Sequence, residues 1–160
     1  MKLRMTLMSI LAVASLAACG GGKKDDTMAG GGGGGPPPAS LYDRLGGEAG
    51  ITGVVDQFVG NVVKDDRINT FFKNADPVHL KKMLVEQISN AAGCMKDGKP
   101  CPYTGKDMKT AHTGMPIKEA DFNALVEDLA KTLDDNKVPA KEKGELLGAL
   151  GPLKSQIVSQ

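Results

Sequence analysis

The sequence predicts an all-α domain, and three observations lead there. Apolar residues recur every three or four positions through four stretches beginning near Ile51, Leu80, Phe122 and Leu146, helix caps and breakers separate those stretches, and none alternates as a half-buried strand would. The Gly- and Pro-rich segment ahead of them has no such rhythm, so the 160-residue chain divides into a leader, a tether and one domain.

The leader is residues 1–18. It opens with Lys2 and Arg4, runs apolar from Met5 to Ala14 and ends in small residues, the layout of a secretory signal. Its last residues with the next, Leu16-Ala17-Ala18-Cys19, are similar to the lipobox of bacterial lipoproteins, in which cleavage precedes the cysteine and acylation of that cysteine follows. An ordinary signal peptide or a short membrane helix are the competing readings, although the apolar run is short for a bilayer. Each buried methylene of an acyl chain contributes about 0.8 kcal/mol, so two or more chains on Cys19 would hold the protein at a membrane. By analogy with enteric lipoproteins, Gly20 favours the outer membrane, with the domain in the periplasm. Residues 19–39 form the lipid anchor and its linker: "GGGKKDDTMAGGGGGGPPP" has almost nothing to bury and reads as a coil reaching roughly 25 Å. No strand precedes its glycines and no Lys-Ser/Thr follows them, which excludes a phosphate loop.

Residues 40–160 are the domain. A net charge of +1, 4% aromatic residues and no Trp exclude a nucleic-acid surface. Ser40 is a candidate N-cap for a short helix that Gly46-Gly47 ends. Residues 48–64 carry Ile51, Val54, Val55, Phe58, Val59, Val62 and Val63 at helical spacing. Turn residues then surround Ile68, Phe71 and Phe72. Asp76 caps a helix with Pro77 at its first position and a stripe of Leu80, Leu84 and Ile88. Residues 93–106 are loop by composition, and no strand is expected anywhere. Within that loop, Cys94 and Cys101 are an even pair in an exported chain, which favours a disulfide over a metal site. After Pro116 a helix carries Phe122, Leu125, Val126, Leu129 and Leu133. Val138-Pro139 ends it, and a last helix with Leu146, Leu147 and Leu150 bends at Gly151-Pro152.

Taken in order, "LYDRLGG", "DQFV", "VVKDDRINTFF", "PCPYTG", "DMKTAHTGMPI" and "DNKVPA" resemble a group I truncated haemoglobin, from about Leu41 to Val158. The resemblance implies a two-over-two helical sandwich around haem b, as a monomeric domain. It makes His112 the proximal ligand of the haem iron. Phe72 matches a ring that packs on the haem and Phe58 one beneath its distal side, while Tyr103, Met108, Ile117, Phe122 and Val126 fall where pocket-lining residues are expected. Where the family commonly carries a distal Tyr, supported by a Gln on the next helix, this chain has Val59 and Leu84, with Leu80 one turn earlier. The implied distal pocket is apolar. The function expected is therefore reversible binding or sensing of a diatomic gas (O2, CO or NO), with fast loss of oxygen. A periplasmic haem peroxidase or nitric-oxide detoxification enzyme is the alternative, and a haem-free helical interaction protein a further one. His79, about 100° round the helix from Leu80, is expected to face solvent or a haem propionate rather than the iron, with a sixth-ligand role left open. Met83 is expected to be core.

Overall fold

The computed structural model describes residues 38–158; the signal, Cys19 and the linker up to residue 37 lie outside the described residues. Ser40 starts the first helix, α1 (Leu41–Arg44). Its Oγ accepts from the Asp43 amide at 3.1 Å while its own amide donates to the Asp43 carboxylate at 3.2 Å, a reciprocal capping box. A turn at Gly46, in the left-handed region at φ 87°, leads directly into α2 (Gly47–Val62). Gly50 lets the two helices meet, because a Cβ there would collide with the Leu45 carbonyl oxygen.

After α2 a 3-10 turn at Asn69–Phe71 reverses the chain into α3 (Pro77–Ala91). The Asp76 carboxylate accepts from the amides of Val78 at 2.8 Å and His79 at 3.0 Å, and Pro77 takes the first position, where a missing N–H costs nothing. α4 (Met108–His112), α5 (Glu119–Asp135), α6 (Ala140–Leu150) and α7 (Lys154–Ile157) follow, with the expected break between α6 and α7 taken up by a 3-10 turn at Gly151–Leu153.

The expectation of a strandless domain needs one correction. Between α3 and α4, β1 (Met95–Lys96) pairs antiparallel with β2 (Lys99–Pro100) across Asp97-Gly98. Both turn residues have positive φ, 53° and 74°, the backbone that a two-residue hairpin turn demands and that Asp-Gly supplies.

The four long helices form two pairs. α2 packs on α3 and α5 on α6, and the pairs meet through α2 on α5 and α3 on α6. Ile51, Val54, Val55, Phe58, Val59 and Val62 of α2 are buried with Ile68, Ile88, Ala124, Leu129, Leu133 and Leu146. The β-branched residues of α2 are weak helix formers, so this burial on two sides is what holds the helix. Inside that seam, fully buried Thr132 donates to the Asp128 carbonyl at 2.7 Å and accepts from Asn61 at 2.9 Å, so its hydroxyl is satisfied. Arg44 ties α1 to α6 through Glu142 at 3.0 Å and through Glu145.

One carboxyl in this frame gives stability a pH dependence. Asp128 on α5 has a buried Oδ2 with no hydrogen-bond partner, and its carboxyl lies within hydrogen-bonding reach of Asp65. Burial, then the neighbouring Asp65 charge, push Asp128 above the usual carboxylate range, while hydrogen bonds from Arg67 hold Asp65 below it. A raised group stabilises the fold while protonated, so the Asp128 contribution is present in acid and lost as pH rises through its folded value; Asp65 contributes in the opposite sense. Asp128→Asn keeps a donor toward Asp65 at every pH. Thermal unfolding of the variant should match the unmodified protein in acid and exceed it at neutral pH. A variant less stable than its parent at neutral pH would contradict this assignment.

Candidate functional site

His112 ends the short helix α4, and the residues around it explain why it is there. Asp107 caps the helix by accepting from the Thr110 amide at 2.9 Å, and Met108 is the one buried residue of the five. Its carbonyl oxygen lies 2.8 Å from His112 Nδ1. A carbonyl can only accept, so Nδ1 carries a proton, and in the neutral ring that tautomer leaves the lone pair on Nε2. A half-buried imidazole with Nδ1 held by a backbone carbonyl is the arrangement of a metal-ligating histidine.

The segment before α4 is held to α3 at two points. Glu86 Oε2 accepts from the Thr104 hydroxyl at 2.7 Å and its amide at 2.9 Å, and those bonds hold the carboxyl below its usual range. Asn90 Nδ2 donates to the Cys101 carbonyl at 2.7 Å. Cys101 is itself joined to Cys94, with their Cα atoms 5.3 Å apart, so the hairpin is closed at its base. Tyr103 braces the same loop: its hydroxyl donates to the Lys106 carbonyl at 2.9 Å, and burial, with Glu86 and Asp107 nearby, raises its ionisation above the ordinary phenol value. Gly105 is required beneath that ring, since a Cβ there would overlap it. Tyr103 thus acts as a strut of the loop that leads to α4.

The apolar candidates are distributed over the other elements. Phe58 and Val59 are buried in α2, at 4% and 6% exposure, and Ile117 and Phe122 are buried where α5 begins. Phe72, Leu80, Met83, Leu84 and Val126 are only half-buried, as are Phe71 and Leu125. Met83, expected in the core, retains exposed surface, and Phe72, expected to pack on a haem, is half-buried. So many large apolar side chains left partly open on α3 and α5 would be better covered by a further apolar body, and a porphyrin has that character. His79 is exposed at the start of α3, as its angle from Leu80 implied. Among the described residues no three His, Cys, Asp or Glu side chains gather to hold a metal ion.

Gln87 was not among the sequence candidates. It lies seven residues after Leu80, hence roughly 20° away on the same helical stripe, and its Nε2 donates to Met108 Sδ at 3.1 Å. The period of the Leu80–Leu84 stripe places it on that face, but its partner on α4 is not written in the local sequence.

Residues 40–159 match the bacterial-like globin family. The chain belongs to that family. Among its relatives, the group 1 truncated hemoglobin GlbN of Mycolicibacterium paratuberculosis is 36% identical over 121 residues, covering 76% of this chain and 85% of that one. The group 1 truncated hemoglobin of Tetrahymena pyriformis is 37% identical over 96 residues, 60% of this globin and 75% of the relative. In three dimensions the globin is similar to the crystal structure of the Tetrahymena pyriformis truncated hemoglobin in its Fe(III) form, with a TM-score of 0.69 at 29% identity, covering 76% of this chain and all of that one. A cyanomet 2/2 hemoglobin from Synechococcus sp. with covalently attached heme gives the same TM-score at 27% identity and the same coverage. The fold is that of a truncated two-over-two globin.

Proposed function

We propose that this globin binds haem b through His112 Nε2 and uses it for reversible binding or sensing of a diatomic gas, as a lipoprotein held at a bacterial membrane by Cys19. The observation that carries the reading is the 2.8 Å contact from His112 Nδ1 to the Met108 carbonyl, which fixes the tautomer that leaves Nε2 able to ligate. The family relationship and the half-open apolar side chains of α3 and α5 support it. Haem, when bound, supplies the iron at which the gas is held; every other property of the site comes from side chains. Phe72, Leu80, Leu84 and Val126 would cover the porphyrin and exclude water. Val59, Leu80 and Leu84 offer a gas no hydrogen bond, so a ligand that gathers negative charge, as dioxygen does, is held less well than carbon monoxide or nitric oxide.

The anchor rests on the lipobox-like Leu16-Ala17-Ala18-Cys19 and the glycine-rich tether, and among the described residues no helix is long and apolar enough to cross a membrane. Two experiments test the parts of this reading separately. Reduced protein should change its visible spectrum on addition of carbon monoxide; an unchanged spectrum would refute gas binding. Expressed in a Gram-negative host with labelled palmitate, the full chain should take up label that Cys19→Ser loses. Equal labelling of both would refute the anchor.

A further inference from the structure

Gln87 is a polar residue on the Leu80–Leu84 stripe of α3, and its contact lands on the helix that carries His112. At about 100° per residue it lies within roughly 20° of Leu80 and 60° of Leu84. A thioether sulfur accepts and never donates, so the amide N–H of Gln87 is the donor in the 3.1 Å contact with Met108 Sδ. Met108 makes a second contact through its backbone, where its carbonyl accepts from His112 Nδ1 at 2.8 Å. One residue therefore takes the α3 amide on its side chain and the imidazole on its main chain. At 8% exposure it does so largely away from water, where a soft hydrogen bond counts for more. Glu86 and Asn90, on either side of Gln87, secure only the loop ahead of α4.

We propose that Gln87 is a positioning residue for His112, acting through Met108. By holding the Met108 side chain against α3 it fixes the rotation of α4, and with it the direction of the carbonyl that sets the imidazole tautomer and ring angle. Hydrogen bonding at the remote ring nitrogen raises the basicity of the ligating one, so the distal helix reaches the proximal ligand through two bonds. An apolar residue of similar size at this position would keep packing contact with Met108 and lose the link. The consequence at the iron rests on the haem reading above; the orientation of the imidazole belongs to the protein without haem.

The test uses Gln87→Leu, Met108→Leu and the double variant, with two readouts that a general loss of stability would not move. In the haem-free protein, long-range proton–nitrogen correlation spectra read the His112 tautomer. In the reduced haem-loaded protein, resonance Raman reads the iron–histidine stretching band. The unmodified chain should show the Nδ1–H tautomer, and either single variant a mixture of the two. The stretching band should fall in frequency in each single variant, and no further in the double, while circular dichroism stays helical. An unchanged tautomer in the folded variants, or band shifts that add in the double variant, overturns the proposal. Because the tautomer is read without haem, failure of the protein to take up haem would refute the preceding reading and leave this arm decisive.

Discussion

Replacing His112 with glycine is expected to remove the proximal ligand while leaving the helical fold in place. His112 is half-buried at the end of a five-residue helix, and its side chain's one hydrogen bond is local, to Met108 four residues earlier. Its loss therefore costs the core little. Haem affinity should fall by more than about a hundredfold, since disturbing even the partner of a ligand typically costs ten- to hundredfold and here the ligand itself is gone. Circular dichroism of the haem-free variant should match the parent. Added imidazole, which can occupy the space left by the side chain, should restore much of the absorbance that the glycine variant loses. A variant that binds haem as tightly as its parent, with an identical spectrum, would move the ligand elsewhere, with the exposed His79 as the first place to look.

The second large effect is expected on the distal side. Val59→Tyr places a phenol hydroxyl where the proposed site has the hydrocarbon of Val59. A charge-assisted hydrogen bond is worth about 1.5–3 kcal/mol, so oxygen dissociation should slow by roughly ten- to a hundredfold, with a smaller change for carbon monoxide. Val59 sits at 6% exposure among the core residues of α2, and a larger side chain there risks overpacking. Leu84→Gln is the companion test, because Leu84 is half-buried and an amide of similar length replaces it with little strain. Oxygen dissociation rates unchanged in both folded variants would show that the bound gas lies beyond the reach of α2 and α3.

The residues that were legible in advance are those whose neighbours are close in sequence. Ser40 with Asp43 and Asp76 ahead of Pro77 announce helix starts because a cap and its target amide lie within three residues. The stripe Ile51, Val54, Val55, Phe58, Val59 and Val62 announces a buried helix because its period is written along the chain. The hairpin at Asp97-Gly98 carried an equally local signal, but the alternation that usually accompanies it is missing from strands of two residues each. Harder to see were contacts between elements. The sequence gives no sign that the Tyr103 hydroxyl rests on the Lys106 carbonyl with Gly105 beneath its ring. The three polar residues Glu86, Gln87 and Asn90 look like an ordinary solvated helix end, and only the return of the chain at Cys101, Thr104 and Met108 gives them partners. Asp128 is likewise an ordinary surface carboxylate in the sequence, and only the fold, by burying it and bringing Asp65 beside it, raises its ionisation.

The central claim is that His112 presents a free Nε2 to haem on a truncated globin frame, and titrating haemin into the folded, haem-free domain tests it most directly. Followed by absorbance, the account predicts a Soret band that saturates at one haem per chain and, after reduction, a carbon monoxide spectrum typical of a histidine-ligated iron. Haemin that adds without a sharp endpoint, or a protein that stays colourless while remaining helical, would contradict it.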